Sequence, residues 1–262
     1  MGDLSVTALQ EVGTRLLAGR RILISGGTSG LGAALVRAAI AAGASVGVLG
    51  RRAALLDALS AETGAEGEAC DITNRAAVER SVAAVAERLG GLDGLVNCAG
   101  QMLHSRITAG FREDWEGMLN VNVLGTLNTT VAAWPLLRQA PYADVMFISS
   151  RSADRVAGAD FAMYGATKAA LLRVADGLAA EVAEENLPIR ITTIKPGYID
   201  TEGVVSHIRD AAARALITAN AKQIGLPPEP YAEEIVHLLS LPRSLRVAEM
   251  TIERAAGYRP EV

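Results

Sequence analysis

Ile22-Leu23-Ile24-Ser25-Gly26-Gly27-Thr28-Ser29-Gly30-Leu31-Gly32 decides the fold. Three consecutive apolar residues with no polar alternation predict a strand buried on both faces, as in a parallel sheet covered by helices. Leu31 to Ala42 then repeats apolar residues at helical spacing. Between them the glycines stand in the pattern G-x-x-x-G-x-G. Glycine there lets the backbone turn tightly and come close to a ligand, and the helix that follows offers free N–H groups and the positive end of its dipole. A plain strand-to-helix turn would also use glycine. At the first strand-helix junction, however, the expected occupant is a dinucleotide pyrophosphate. Gly26, Thr28, Ser29, Gly30, Leu31 and Gly32 are the expected contacts.

The same alternation continues outward along the chain. Strands are expected at Ser45–Leu49, near Glu68–Cys70, and at Gly94–Cys98, Val145–Ser149, Arg190–Ile194 and Met250–Glu253. Helices are expected through Leu55 and Leu59, over Asn74–Leu89, over Trp115–Leu137 and over Ala162–Glu185. Repeated strand-helix units give an α/β fold, one doubly wound domain with a parallel sheet and helices on both faces. Residues 1–20 precede it as an extension, and the domain is expected over 21–262. The segment from Gly203 to Tyr231 has little strand character and carries Pro227, Pro228 and Pro230. It is expected to hang from the sheet as one or two helices and a loop covering the crevice at the carboxyl ends of the strands.

Composition narrows the functional class. Half of the 262 residues are hydrophobic, enough for a large core and against disorder. The net charge of −4 and the scatter of the basic residues argue against nucleic-acid binding. No apolar run approaches the length of a membrane span, and no leader pattern opens the chain. Cys70 and Cys98 have neither metal nor redox spacing, so no metal site is expected and a reducing cytoplasm is.

The second expected strand ends Leu49-Gly50-Arg51-Arg52. A site for NAD would place Asp or Glu here to accept from the adenosine ribose hydroxyls. Glycine and two guanidinium groups instead favour NADP(H), with Arg51 holding the 2′-phosphate and Arg52 a more solvated second contact.

Tyr164 and Lys168 lie at i and i+4 at the start of a helix, on one face. A phenol titrates near 10, and an adjacent ammonium together with a cationic nicotinamide is expected to lower that value. With these residues the chain resembles the short-chain dehydrogenase/reductase family from about Arg21 to Ile199. The likeness rests on Gly26–Gly32, Asp71-Ile72, Asn97-Cys98-Ala99-Gly100, Asn122, Ile148-Ser149-Ser150, Tyr164–Lys168 and Lys195-Pro196-Gly197, in the family's order and near its spacing.

The resemblance implies a Rossmann-type domain and an alcohol/ketone oxidoreductase, a ketoreductase acting on a small-molecule carbonyl or alcohol. It makes Tyr164 the proton donor or acceptor. Lys168 would bind the nicotinamide ribose, a serine would polarise the carbonyl, and Asn122 would hold a relay water. Asp71 and Ile72 would contact the adenine, with Asn97, Ala99 and Gly100 lining the adenosine side. Pro196, Gly197, Ile199 and Thr201 would flank the nicotinamide. It also implies a homotetramer or homodimer. From the residues alone, Asn97 and Asn122 could instead serve only as structural hydrogen-bonders, and Asp71 as a helix cap.

The chain departs from the family pattern at Ser25, where threonine is usual, and at Cys98, where asparagine is. Ser150 precedes Tyr164 by 14 residues and Ser152 by 12. Ser150, directly after the strand, is taken as the catalytic serine. The Gly50-Arg51-Arg52 turn and the Val247–Arg254 ending resemble the branch acting on serine and 3-hydroxy acids. An epimerase or lyase using bound cofactor, and a non-catalytic cofactor binder, are the alternatives to redox turnover.

Overall fold

The computed structural model describes residues 16–104, 106–201, 215, 218–219 and 225–256. Most of the expected covering segment, and residues 1–15 of the extension, lie outside them. Among the described residues seven strands form one parallel sheet in the order β3-β2-β1-β4-β5-β6-β7. They are β1 (Arg21–Ser25), β2 (Ser45–Gly50), β3 (Glu66–Ala69), β4 (Gly94–Asn97), β5 (Ala143–Ile148), β6 (Ile189–Pro196) and β7 (Glu249–Ile252). The α-helices with described bounds are α1 (Gly30–Ala41), α2 (Ala53–Thr63), α3 (Arg75–Leu89), α4 (Arg112–Met118), α5 (Thr126–Leu137), α6 (Ala162–Glu184) and α7 (Pro228–Ser240).

The continuous apolar runs behave as parallel strands should. Every residue of β4, β5 and β6 is buried. Successive side chains pass to opposite faces. Ile22, Ile24, Val46, Val48, Val96, Met146 and Ile148 join α1 and α7 in one core. Leu23, Leu49, Leu95, Val145 and Phe147 join α3, α5 and α6 in the other. The chain winds outward from β1 in one direction and from β4 in the other. The carboxyl ends of β1 and β4 therefore flank the crevice where such sheets take ligands.

Three expectations are corrected. The helix expected over Trp115–Leu137 begins at Arg112 and is not uniform, since Leu119–Gly125 is a π-helical turn between α4 and α5. The extension ends before residue 17: Leu17 is buried and its N–H donates to the Ala42 carbonyl. The end of the covering segment belongs to the core. Tyr231 is 0% exposed, and α7 packs along α1. The three prolines that favour a loop sit at Pro227 and in the first turn of α7, where a missing N–H breaks no helical hydrogen bond.

Candidate active site

The glycine loop is shaped by close approach. Gly26 has φ +73°, and a Cβ there would lie 2.6 Å from the Ala99 Cα. A Cβ on Gly32 would lie 2.2 Å from the Gly26 carbonyl oxygen. Only glycine lets the β1 turn meet both α1 and the strand-end loop after β4. Ser25 keeps the use of a hydroxyl at this position, because its Oγ accepts from the Ala99 N–H at 3.3 Å. The first turn of α1 carries no acidic side chain. Thr201 stands against Gly30, where an added Cβ would lie 3.2 Å from its methyl. The segment expected to flank a nicotinamide thus reaches the glycine loop.

At the end of β2 the two arginines diverge. The Arg52 guanidinium donates to Ser29 Oγ at 2.8 Å and to Thr28 Oγ1 at 3.2 Å. Arg51 lies toward Asp71, whose carboxyl is held below its usual range first by the Thr73 N–H and also by Arg51. Arg52, expected as the second, more solvated contact, is the one whose side chain reaches the glycine loop.

Other expected contacts divide. Asp71 accepts from the Thr73 N–H at 2.9 Å, and Asn74, not Asp71, caps α3 by accepting from the Ala77 N–H. Ile72 is buried, and a Cβ on Gly125 would lie 2.7 Å from its side chain. Asn97 donates to Thr130 Oγ1 and accepts from Thr129 Oγ1. Its side chain anchors β4 to α5. Gly197 is fixed by its N–H to the Ile252 carbonyl at 2.7 Å, and Ile199 pairs with Leu226.

Around Tyr164 the predicted residues converge. Ser150 opens a short turn after β5 and accepts from the Ser152 N–H at 3.1 Å. Its hydroxyl lies close enough to Tyr164 to favour the phenolate. Ser152 instead places its carbonyl against Gly165, where a Cβ would come within 2.7 Å. The serine turn and the start of α6 therefore touch without intervening space. Lys195, buried in β6, pairs with Asp154 at 2.7 Å and with Glu249, and Arg151 pairs with Glu253. These bridges fix the serine turn to the sheet edge. They carry no signal in the sequence, since ion pairs between residues 41 to 102 positions apart leave no local pattern.

Lys168 is buried, donates to the Ile148 carbonyl at 2.8 Å, and sits 5.9 Å from the Tyr164 ring centroid. A Cβ on Gly100 would lie 3.2 Å from Lys168 Nζ and 3.6 Å from Asn122 Oδ1, so both side chains meet at this glycine. Asn122, on the π-helical turn, donates to the Gln101 carbonyl and to Thr167 Oγ1, both at 2.9 Å, and accepts from the Gln101 N–H at 2.7 Å. Both amide hydrogens are engaged, which makes its side chain a brace between the Gly100 loop and α6.

Burial governs the electrostatics. It pushes the Tyr164 phenol up to about 12, against the neighbouring Ser150 hydroxyl, which favours phenolate. The expected lowering is therefore not a property of the protein alone. Burial lowers the Lys168 ammonium to about 8 and raises the Cys98 thiol to about 11. At neutral pH the centre holds a phenol, an ammonium and a protonated thiol. That set can give a proton to a developing alkoxide and keep one positive charge beside it.

Residues 20–212 match the short chain dehydrogenase family. An uncharacterized oxidoreductase of Staphylococcus haemolyticus is 33% identical over 239 residues, covering 90% of this chain and 97% of the relative. Among solved structures, the closed form of a serine dehydrogenase complexed with NADP+ aligns with TM-score 0.81 at 26% identity, over 92% of this chain and 99% of that one. Serine dehydrogenase from Escherichia coli aligns with TM-score 0.75, also at 26% identity, over 89% and 97%. The chain belongs to the short chain dehydrogenase family, a family of oxidoreductases that work with NAD(P).

Proposed function

We propose that this protein is an NADP(H)-dependent oxidoreductase that interconverts a secondary alcohol and a ketone on a small or mid-sized metabolite. The observation that carries the reading is the convergence of Ser150, Tyr164 and Lys168, with Lys168 Nζ 5.9 Å from the Tyr164 ring centroid, beside a glycine cradle that a side chain would fill. Gly26, Thr28, Ser29, Gly30, Leu31 and Gly32 would hold the pyrophosphate, and Arg51 and Arg52 the 2′-phosphate. Asp71, Ile72, Ala99 and Gly100 would border the adenosine. Lys168 would hold the nicotinamide ribose, with Pro196, Gly197, Ile199 and Thr201 along the ring. The absence of an acidic side chain from Gly50, Arg51 and Arg52 supports NADP(H) over NAD(H).

The nicotinamide, when bound, supplies or accepts hydride. The Ser150 hydroxyl donates to the substrate oxygen and fixes it against Tyr164. In reduction, the Tyr164 phenol gives its proton to that oxygen as negative charge develops there. In oxidation the proton moves the other way, from the substrate hydroxyl to the Tyr164 phenolate oxygen. The Lys168 ammonium then favours the phenolate, once it turns from the Ile148 carbonyl toward the ribose and phenol. Asn122 keeps the Gly100 loop and α6 in register beneath the reacting atoms. We further propose a cytoplasmic homo-oligomer. Among the described residues no helix is long and apolar enough to cross a membrane.

The test is a panel of ketones and keto acids with NADPH, and of alcohols with NADP+, with serine and 3-hydroxy acids first because of the two serine dehydrogenase neighbours. Net NADPH oxidation matched by alcohol formation supports the reading. Product without net change in NADPH would replace it with an epimerase or lyase, and no turnover across the panel with tight NADPH binding would leave a non-catalytic binder.

A further inference from the structure

Gly50 is the residue at which an NAD site would carry its carboxylate, and the structure gives a physical reason why none stands there. A Cβ built on Gly50 would lie 2.5 Å from Thr28 Cγ2, a distance at which something must move. The next neighbours are Thr28 Oγ1 at 3.4 Å and Leu56 Cδ2 at 3.6 Å, close to ordinary contact. Thr28 alone blocks the position. The same residue has a second contact, since its Oγ1 accepts from the Arg52 guanidinium, which also reaches Ser29 Oγ.

We propose that Thr28 is a cofactor-specificity residue whose methyl closes Gly50 to any side chain and whose hydroxyl holds Arg52 in place for a 2′-phosphate. The proposal rests on the NADP(H) reading given above. The Thr28 Cβ carries two heavy atoms and one hydrogen, and staggered rotamers are three. Two of the three leave a heavy atom facing Gly50. The third brings hydrogen there but moves the hydroxyl from its present place under Arg52. The steric and hydrogen-bonding functions are therefore tied to one χ1 angle. It follows that Gly50→Asp by itself is a poor route to NADH use. The new Cβ displaces the phosphate turn that both cofactors need, and the change becomes effective only when the Thr28 methyl is removed.

The two halves are tested separately on the whole protein. For the steric half, Gly50→Ala is made alone and with Thr28→Ser, which deletes the methyl and keeps the oxygen. Thermal unfolding without cofactor is the readout. Gly50→Ala lowers Tm by roughly 3–8 °C in the wild-type background, as overpacking of a tight contact does, and by less than half of that in the Thr28→Ser background. An equal drop in both backgrounds, or none in the first, overturns the steric half. Gly50→Asp and the Thr28→Ser/Gly50→Asp pair then give the functional form of the same cycle. NADH affinity, measured by fluorescence titration, is about tenfold or more better in the pair than in Gly50→Asp alone, and equal affinities again overturn the claim.

For the hydroxyl half, Thr28→Val keeps both branches and removes the acceptor. It lowers the NADPH-to-NADH affinity ratio by about 2- to 10-fold, the worth of one hydrogen bond. An unchanged ratio sinks that half. A wild-type protein that prefers NADH refutes the NADP(H) reading and the hydroxyl half with it, while the unfolding cycle still reports on the methyl.

Discussion

Tyr164 and Lys168 are shifted in opposite directions by one cause. Loss of water raises the phenol to about 12 and lowers the ammonium to about 8, and each shift favours the neutral form. Tyr164→Phe removes the proton and almost no volume. Turnover is expected to fall by about 10²- to 10⁴-fold, the usual worth of a positioned acid, with NADPH affinity changed less than roughly threefold. Single-turnover kinetics beside a binding titration check it, and near-native turnover would remove Tyr164 from the mechanism. The Lys168 shift also predicts a pH effect on stability without cofactor. Its folded value lies below the ordinary 10.5, so between about pH 8 and 10.5 the unfolded chain binds more protons than the native one. Stability from this group therefore rises with pH across that window and is lost as pH falls through 8. Tyr164, raised from 10, acts oppositely above pH 10. Urea midpoints of wild type and Lys168→Met at pH 7.5 and 9.5 isolate the effect: the wild type gains on the variant as pH rises. A difference that stays constant with pH would contradict the burial argument.

The serine turn joins β5 to α6 and shows what one element asks of another. Ser150 meets Tyr164, while Ser152 contributes a carbonyl to the packing of Gly165. Ser150→Ala is expected to raise the barrier by about 3 kcal/mol, the scale of one oxyanion donor, and Ser152→Ala by much less. Measuring kcat/KM for both decides it, and the reverse order would transfer the role to Ser152. The serine at the strand end could be chosen from sequence because β5 has a clear apolar signature that stops at Ile148. Much else at this scale was legible for the same reason. Strands β1, β2, β4, β5 and β6 were marked by largely apolar runs, unlike β3 (Glu-Gly-Glu-Ala) and β7 (Glu-Met-Thr-Ile), and the glycine loop by local spacing. What was not legible depends on contacts remote in sequence. The π-helical turn is accompanied by Asn122 reaching both Gln101 and Thr167. The first turn of α7 is proline-rich, yet Tyr231 is fully buried and its hydroxyl donates to the Tyr198 carbonyl at 3.2 Å. Asn97 and Arg52 were identified by type, but only the fold shows that one turns toward α5 and the other toward Ser29.

At the scale of the whole molecule the two ends of the sheet do different work. The carboxyl ends carry the candidate site. The opposite end is held by charge: Arg20 pairs with Asp93 at 2.7 Å and with Asp144 at 2.8 Å, and Arg190 pairs with Asp144 at 2.7 Å. Arg190 also donates to the carbonyls of Leu238, Leu239 and Leu241, where α7 ends. Asp144 is 1% exposed, so Asp144→Ala would leave two guanidiniums short of a partner and is expected to cost about 3–5 kcal/mol. Calorimetry should show Tm lowered by roughly 10 °C with activity per folded molecule retained, since the site lies at the far end. An unchanged Tm would deny the cluster its structural role. Assembly is the other property of this scale. Leu119, Leu124 and Val131 are 40%, 52% and 54% exposed along the π-helical turn and α5. Leu124 and Val131, seven residues apart, share one side of the helix. In a two-fold interface each such residue acts twice, because both protomers present the same patch. Leu124→Glu with Val131→Glu therefore places four carboxylates in one interface while leaving both cores untouched. Wild type at micromolar concentration is expected to sediment as a dimer or tetramer, and the double variant as a smaller species with unchanged circular dichroism. A wild type that is monomeric at that concentration, or a double variant that assembles as wild type does, would show that the exposed face of α5 is not where copies of this chain meet.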